Sequence, residues 1–563
     1  MNRKIFSIAI IIISFSLKAQ LPNHHWSKSI DGGALAKGYC ITTDNSGNVY
    51  TAGVFGSTSD FDPSSGVFNL TSNGSDDIFI VKTNAQGDFL WARNLGGTQA
   101  DVPTKITCDL SGNIYLTGYF AGIADFNPES GTSNLISAGG NDVFITKLNS
   151  LGQLVWAKNI GGSTDDVGNS IDIDDYDGSV FIVGDYSGAI DLDPGMTAAN
   201  VTSNGALDIF MLKLASNGDY ITSKSFGGTS LDRGRDIVID VITGDQFITG
   251  SFGNTVDFDP GIGFSNLVGG SQDIFVLKLN LNNNFVFAKR MGGIAVDEGR
   301  NIDIDDNGFI YINGSFISTC NFDPDGGTVN VTSNGNDDVF VVQLSPSGSL
   351  SWVKTFGSIG TEDFMDMDVS SIGDIYITGE MANDMDANPD LLIVNNLLKL
   401  GAEDTYIISL ASDGSFKWAT SYGSNAIGDY TRGFGVFTDD INNVYITGSF
   451  HHTVDFNPSA SLSILSAVAG SDIWFQKLGP GYNAIDELTK NSLSVFPNPS
   501  NGNFTLRGKV GETVELFSQT GVLIESFEFN ANSIEINCKS LSDGMYFLRS
   551  SDSNKIEKLI IKK

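Results

Sequence analysis

The sequence predicts an all-β protein: a seven-bladed β-propeller over residues 21–480 and a small C-terminal β-sandwich over 493–563. Three observations carry that expectation. Short runs rich in Ile, Val, Phe, Tyr and Thr alternate with clusters of Gly, Asn, Asp and Ser, and no long helical period of apolar residues occurs. The stretch DFDPSSGVFNLTSNGSDDIFIVK, starting at Asp60, returns as DFNPESGTSNLISAGGNDVFITK from Asp125 and NFDPDGGTVNVTSNGNDDVFVVQ from Asn321. Finally, the two ends of the repeat array complement each other. The last copy stops after its third strand, DIWFQKL, and the segment HHWSKSIDGG ahead of the first copy supplies the missing fourth. A strand borrowed from the other end closes the ring and leaves no open sheet edge.

The period is regular. A glycine in a TGSF-like strand falls at Gly53, Gly118, Gly184, Gly250, Gly314, Gly379 and Gly448, and a proline follows each one ten residues later. The spacing between copies is 64–69 residues over seven copies. In the second copy, strand a lies near KITCD and the turn LSGN leads to strand b, IYLTGYF; strand c is DVFITKL and strand d is LVWAKNIGG. One such sheet cannot cover both of its faces, whereas sheets stacked radially can. Trp26, Trp91, Trp156, Trp352 and Trp418 recur on strand d, with Tyr220 or Phe285 nearby in the other copies, which points to packing between blades.

Residues 1–20 read as an export signal: Arg3 and Lys4, an apolar run from Ile5 to Leu17, and a short polar exit. Residues 481–492 read as a linker. No later segment is long and apolar enough to span a bilayer, so no transmembrane segment is expected after signal cleavage. The four cysteines, Cys40, Cys108, Cys320 and Cys538, sit at unrelated repeat positions and read as individually buried thiols. The formal net charge is −34, while residues 490–563 hold nine Lys/Arg against eight Asp/Glu, so the acid is concentrated in the repeats. A surface of that sign repels phosphate backbones and excludes nucleic acid as a partner.

The units DIFIVKTNAQGDFLWARNLGG and GNVYTAGVF…DFDP resemble the SBBP-type β-propeller repeat of exported bacterial proteins, over roughly residues 24–480. That resemblance implies a fold and no catalytic assignment. The C-terminal segment resembles the type A sorting domain of the type IX secretion system. The matching residues are Pro497, Asn498, Pro499, Gly502, Gly521, Gly544, Met545 and Tyr546, with the basic end Lys558 to Lys563. The resemblance implies passage across the outer membrane by the type IX machinery, removal of the domain, and release or attachment at the cell surface.

Candidate chemistry lies on the face that gathers the b–c and d–a connections. Asp60 and Asp62, with Asp257 and Asp259, are candidate Ca²⁺ ligands, since a hard cation takes several carboxylate oxygens. The competing reading is that each carboxylate fixes its own turn by accepting backbone N–H bonds. Repetition, and Asn at Asn127, Asn321 and Asn457, favour the turn role. No cofactor is required by the pattern, and Ca²⁺ is the one ion it leaves open. His24 and His25 begin strand d while His451 and His452 end strand b of the same blade, so a metal site shared by all four is not expected. No other histidine exists for a nucleophilic triad.

Residues that differ between copies at the channel mouth are more informative. Lys105, Arg235, Asp236, Arg300 and Arg432 are candidate ligand-binding residues, because loops of every blade converge there and arginines hold carboxylates or sulfates in bidentate fashion. Local pairing within Asp232-Arg233 and Arg235-Asp236 is the plainer alternative. The expected function is an exported, non-catalytic binding, adhesion or scaffold module with a glycan or protein ligand. The alternative is a polysaccharide hydrolase or lyase using carboxylates at the channel mouth.

Overall fold

The computed structural model describes residues 21–480, apart from 34, 35, 361, 391, 392, 427, 460 and 469, together with 494–563 apart from 497, 499, 508–510, 512, 519–521, 531, 532 and 551–555. The expected signal and linker segments lie outside the described residues. Every regular element described is a β-strand.

The strands pair antiparallel in sets of four. The first set is Ala36–Thr43, Val49–Phe55, Asp77–Thr83 and Phe89–Gly97. Six further sets follow, with innermost strands Asp101–Cys108, Asp166–Ile173, Arg233–Ile239, Asp297–Ile304, Glu362–Val369 and Thr431–Thr438. In the last set the fourth strand is Asn23–Ile30, which runs antiparallel to Asp472–Gly479 with Trp26 opposite Lys477 and Ile30 opposite Ile473. The two ends of the array therefore meet in one sheet. The innermost strands touch in sequence around a ring, the first contacting both the second and the last. This is a β-propeller.

The middle two strands of each set are buried on both faces because neighbouring sheets cover them. Val49–Phe55 and Asp77–Thr83 are buried at every position, and apolar clusters bridge each pair of sets. The tryptophans do this at the outer edge. The Trp91 indole N–H donates to the Ser150 carbonyl of the next set, and Trp156 and Trp352 repeat the contact with Ser216 and Ser412. The turn glycine beside them has no room for a side chain: a Cβ at Gly218 would lie 3.0 Å from the Trp156 ring. In the set containing Phe285, it is Phe287, two residues on, that packs on the equivalent glycine, Gly348.

The b–c connection is more ordered than the sequence suggests. Its DFDP segment pairs with the residues that follow it, as in Thr58–Asp60 with Asn69–Thr71. In the second set the ribbon merges into the long strands Ile114–Asp125 and Asn134–Leu148 and also pairs with the preceding set, Gly96 opposite Asp125. The phenylalanine of the motif is the anchor: Phe61, Phe126, Phe258, Phe322 and Phe456 are fully buried. Three-residue strands flanked by polar turns carry too little periodicity to be read from sequence.

Residues 494–563 form two packed sheets. One joins Ser494–Phe496, Asn503–Arg507 and Ser533–Asn537; the other joins Leu523–Glu528, Thr513–Ser518, Gly544–Ser550 and Ile556–Ile561. Phe504, Leu506, Leu516, Leu548 and Leu559 fill the space between them.

Candidate functional site

Each innermost strand contains a β-bulge at the same place, three residues or so from its start. The register breaks between Gly38 and Cys40, Pro103 and Lys105, Gly168 and Ser170, Gly234 and Asp236, Gly299 and Asn301, Phe364 and Asp366, and Gly433 and Gly435. A bulge leaves one residue unpaired and re-aims it. The seven residues so placed are Tyr39, Thr104, Asn169, Arg235, Arg300, Met365 and Phe434, and all seven line one cavity of about 240 Å³ in the channel. The ring is two-sided in chemistry. Thr104, Asn169, Arg235 and Arg300 follow one another along one arc, and Met365, Phe434 and Tyr39 along the other, with the Tyr39 and Phe434 rings 5.4 Å apart, edge to face.

The arginines are only loosely held. Glu298 lies between them, 3.8 Å from Arg235 Nη2 and 3.5 Å from Arg300 Nε. Arg300 Nη1 donates to the Phe364 carbonyl, while Nε of both arginines has no hydrogen-bond partner among the described residues. The pairings expected between sequence neighbours do not form. Asp232 accepts the Gly228 and Gly253 amides, and Asp236 accepts Ser170 Oγ and the Ile302 amide. The physical reason is that the bulge and strand alternation send adjacent side chains in different directions.

The floor of the cavity is charged. Lys105, from the second set, reaches to within 3.7 Å of Asp366 from the sixth. Burial lowers the Lys105 pKa, but Asp366, Asp236, Asp368 and Asp303 together raise it well above its ordinary value. The channel carboxylates have a second task. An innermost strand presents unpaired amides along its inner edge, and buried amides need partners. Asp172 accepts the Ile239 amide, Asp236 that of Ile302, Asp303 that of Val369, Asp366 that of Val436 and Asp368 that of Thr438, each in the next set round. Burial pushes Asp172 and Asp368 up to about 7.

Of the predicted ligand residues, Lys105, Arg235, Asp236 and Arg300 thus come together in this cavity. Arg432 does not line it. It stacks over the Tyr430 ring and pairs with Glu403 and with Glu380, at 3.3 Å. Sequence reasoning missed Tyr39, Met365 and Phe434, the apolar arc.

Comparison with known proteins identifies the two parts of the chain. Residues 494–562 match the secretion system C-terminal sorting domain family, and residues 90–119 match the β-propeller repeat family SBBP. The protein is a secreted β-propeller carrying a type IX sorting domain. A WD repeat-containing protein of Acanthamoeba polyphaga mimivirus, itself uncharacterised, is 22% identical over 76% of this chain; the chain spans 36% of its length. Among solved structures, a Bacteroides caccae protein of unknown function is 10% identical, covers 66% of this chain and 93% of its own, and superimposes with a TM-score of 0.30. PorZ of Porphyromonas gingivalis, a surface component of the type IX secretion system, is 13% identical, covers 95% of this chain and all of its own (100%), with a TM-score of 0.17. Overlaps that loose carry nothing about function.

A type IX cargo is secreted or displayed at the cell surface, and its sorting domain implies contact with the secretion machinery. Within that domain Asn498 ties the entering chain to the last strand: its Nδ2 donates to the Lys558 carbonyl and its Oδ1 accepts the Ile560 amide. Gly502 takes a positive φ of 94° where a Cβ would lie 2.9 Å from the Lys539 Cα. Gly544 opens the strand Gly544–Ser550, and the buried Tyr546 hydroxyl donates to the Ser542 carbonyl. Pro497, Pro499 and Gly521 lie outside the described residues. No helix among the described residues is long and apolar enough to cross a membrane.

The candidate calcium ligands of this cargo are each engaged in their own turn. Asp60 Oδ1 accepts the Asp62 and Phe68 amides, and Asp62 Oδ1 that of Ser64. Asp257 and Asp259 repeat this with the amides of Asp259, Ser265 and Gly261. The two pairs belong to different sheets, and the structure does not bring them together. Cys40, Cys320 and Cys538 are buried free thiols as expected, while Cys108 is half-buried and donates to the Thr43 carbonyl.

Proposed function

We propose that this protein is a seven-bladed, non-catalytic binding module, exported with the help of residues 1–20 and attached at the outer membrane after loss of its sorting domain. Its channel mouth takes an anionic glycan. One observation carries the reading. At the bulge, seven otherwise uniform repeats place Tyr, Thr, Asn, Arg, Arg, Met and Phe in one cavity. Structure alone needs no such variety at a repeated position, whereas a ligand does.

The chemistry of the two arcs sets the ligand class. Arg235 and Arg300 line the cavity with guanidinium groups that Glu298 approaches at 3.5 Å or more, suited to a carboxylate or sulfate. Tyr39 and Phe434 offer a platform for the apolar face of a sugar ring. The carboxylates deeper in the channel are taken up in capping the next strand's amides, which supports binding over hydrolysis or elimination. Incubation of the secreted protein with acidic and neutral polysaccharides tests the reading, scoring both retention and new chain ends. Retention of acidic chains without cleavage, weakened in Arg235→Ala and Arg300→Ala, is expected. New chain ends would make the protein an enzyme and overturn the proposal.

A further inference from the structure

The seventh set differs from the others at one corner. Where the second strand ends, Gly122, Gly188, Asn254 and Ser318 of other sets take left-handed backbone, with φ of 58–67°. The residue there in the seventh set is His452, with φ 57°. The corner is thus shared, and the seventh set differs in carrying an imidazole there. The turn has a geometric consequence. Successive side chains of a straight strand face opposite ways, but this bend lets His451 and His452 reach the same carboxylate.

That carboxylate is Asp429, in a connection that is longer than its counterparts: the spacing between bulged residues is 69 from Met365 to Phe434 against 65 from Arg300 to Met365. It is fully buried, and its Oδ1 lies 3.3 Å from His452 Nδ1. Its Oδ2 is buried with no hydrogen-bond partner among the described residues. Other buried carboxylates also leave one oxygen open, but they are anchored through the second. Asp101 and Asp297 each accept a glycine amide, from Gly97 and Gly293. Among the described residues the hydrogen-bond partner of the Asp429 carboxylate is an imidazole, and leaving such a group short of partners costs free energy that a bound cation would recover. His451 is held against the Tyr430 ring, centroids 3.9 Å apart, which fixes its orientation. The three ligand atoms lie within 4.8 Å of one another.

We propose that Asp429, His451 and His452 form a Zn²⁺ site on the rim of the last sheet. Two imidazoles and one carboxylate are a donor set zinc accepts, and three protein ligands leave a position for water or for a donor from a bound molecule. His24 and His25 take no part: His24 Nε2 is 2.7 Å from Ser27 Oγ, on the closing strand.

The test is calorimetric titration of the metal-stripped full chain with Zn²⁺. His452→Gly is the decisive variant, because it restores the residue that two other sets carry and so keeps the turn. One zinc per chain is expected, with affinity falling about tenfold or more in His452→Gly and in His451→Ala. His24→Ala should bind as the unaltered chain does. No uptake by the unaltered chain at micromolar zinc, or uptake unchanged in His452→Gly, would overturn the proposal.

Discussion

Two sets of polar residues share the same end of the propeller and behave differently. The carboxylates of the DFDP ribbons are nearly identical in every copy, and each spends an oxygen on its own backbone: Asp60, Asp125, Asp191, Asp257 and Asp455 all accept the amide two residues on and a second, eight on. The bulged residues are of six kinds over seven sets, and Arg235 and Arg300 face the cavity. Repetition here marks what the fold consumes. Variation at a repeated position marks what the fold leaves available.

The largest expected effect breaks the consumed side. Phe258 is fully buried among Phe252, Phe275 and Phe226, so Phe258→Ala should destabilise the propeller by about 3–5 kcal/mol, read as a lowered denaturant midpoint. Phe434→Ala, at the available ring, should leave the midpoint far less changed while weakening glycan retention. Next in size is Asp236→Ala, which strands the Ile302 amide and Ser170 hydroxyl and should cost about 1–3 kcal/mol.

A pH effect of the same origin is expected across the repeats. Burial pushes Asp77, Asp142, Asp208, Asp338 and Asp472 up to about 6, and Asp101, Asp166 and Asp297 up to about 7. Unfolded, these groups ionise near 4. Between about pH 4 and 7 the native state therefore holds protons that the unfolded state releases, and stability falls as pH rises through that window. The melting temperature should be higher at pH 5 than at pH 8; the reverse order would contradict the burial of these acids. The smallest effect concerns calcium. Because Asp60, Asp62, Asp257 and Asp259 already serve their turns, melting curves in Ca²⁺ and in EDTA should coincide, and a shift would reopen these residues as ligands.

Much of the fold was legible in the sequence because its signals recur. Glycine and proline return ten residues apart in every copy, and Trp26 marks the closing strand by matching Trp91 and Trp156. The site was half legible. Arg235, Arg300 and Lys105 stood out by charge, but Tyr39, Met365 and Phe434 look like ordinary strand residues until the bulge shows where they point. A signal was present: Gly38, Gly168, Gly234, Gly299 and Gly433 each directly precede a ring residue. Those glycines are close approaches, since a Cβ at Gly234 would lie 2.7 Å from Ile209 and Val183 side chains. The Asp429 corner was not legible, because 22 or 23 residues separate the carboxylate from its imidazoles and only the folded turn joins them.

The measurement that tests the central claim most directly compares two double variants on two readouts, melting temperature and retention of acidic polysaccharide. Arg235→Ala with Arg300→Ala should lose retention and keep its melting temperature within a few degrees, since what they give up in the fold is a loose contact with Glu298 and one bond to the Phe364 carbonyl. Asp60→Ala with Asp257→Ala should melt earlier and, while folded, retain polysaccharide like the unaltered protein. Retention that survives loss of both arginines, or that disappears with the turn carboxylates while the fold persists, would contradict the division between residues the fold consumes and residues it leaves free to bind.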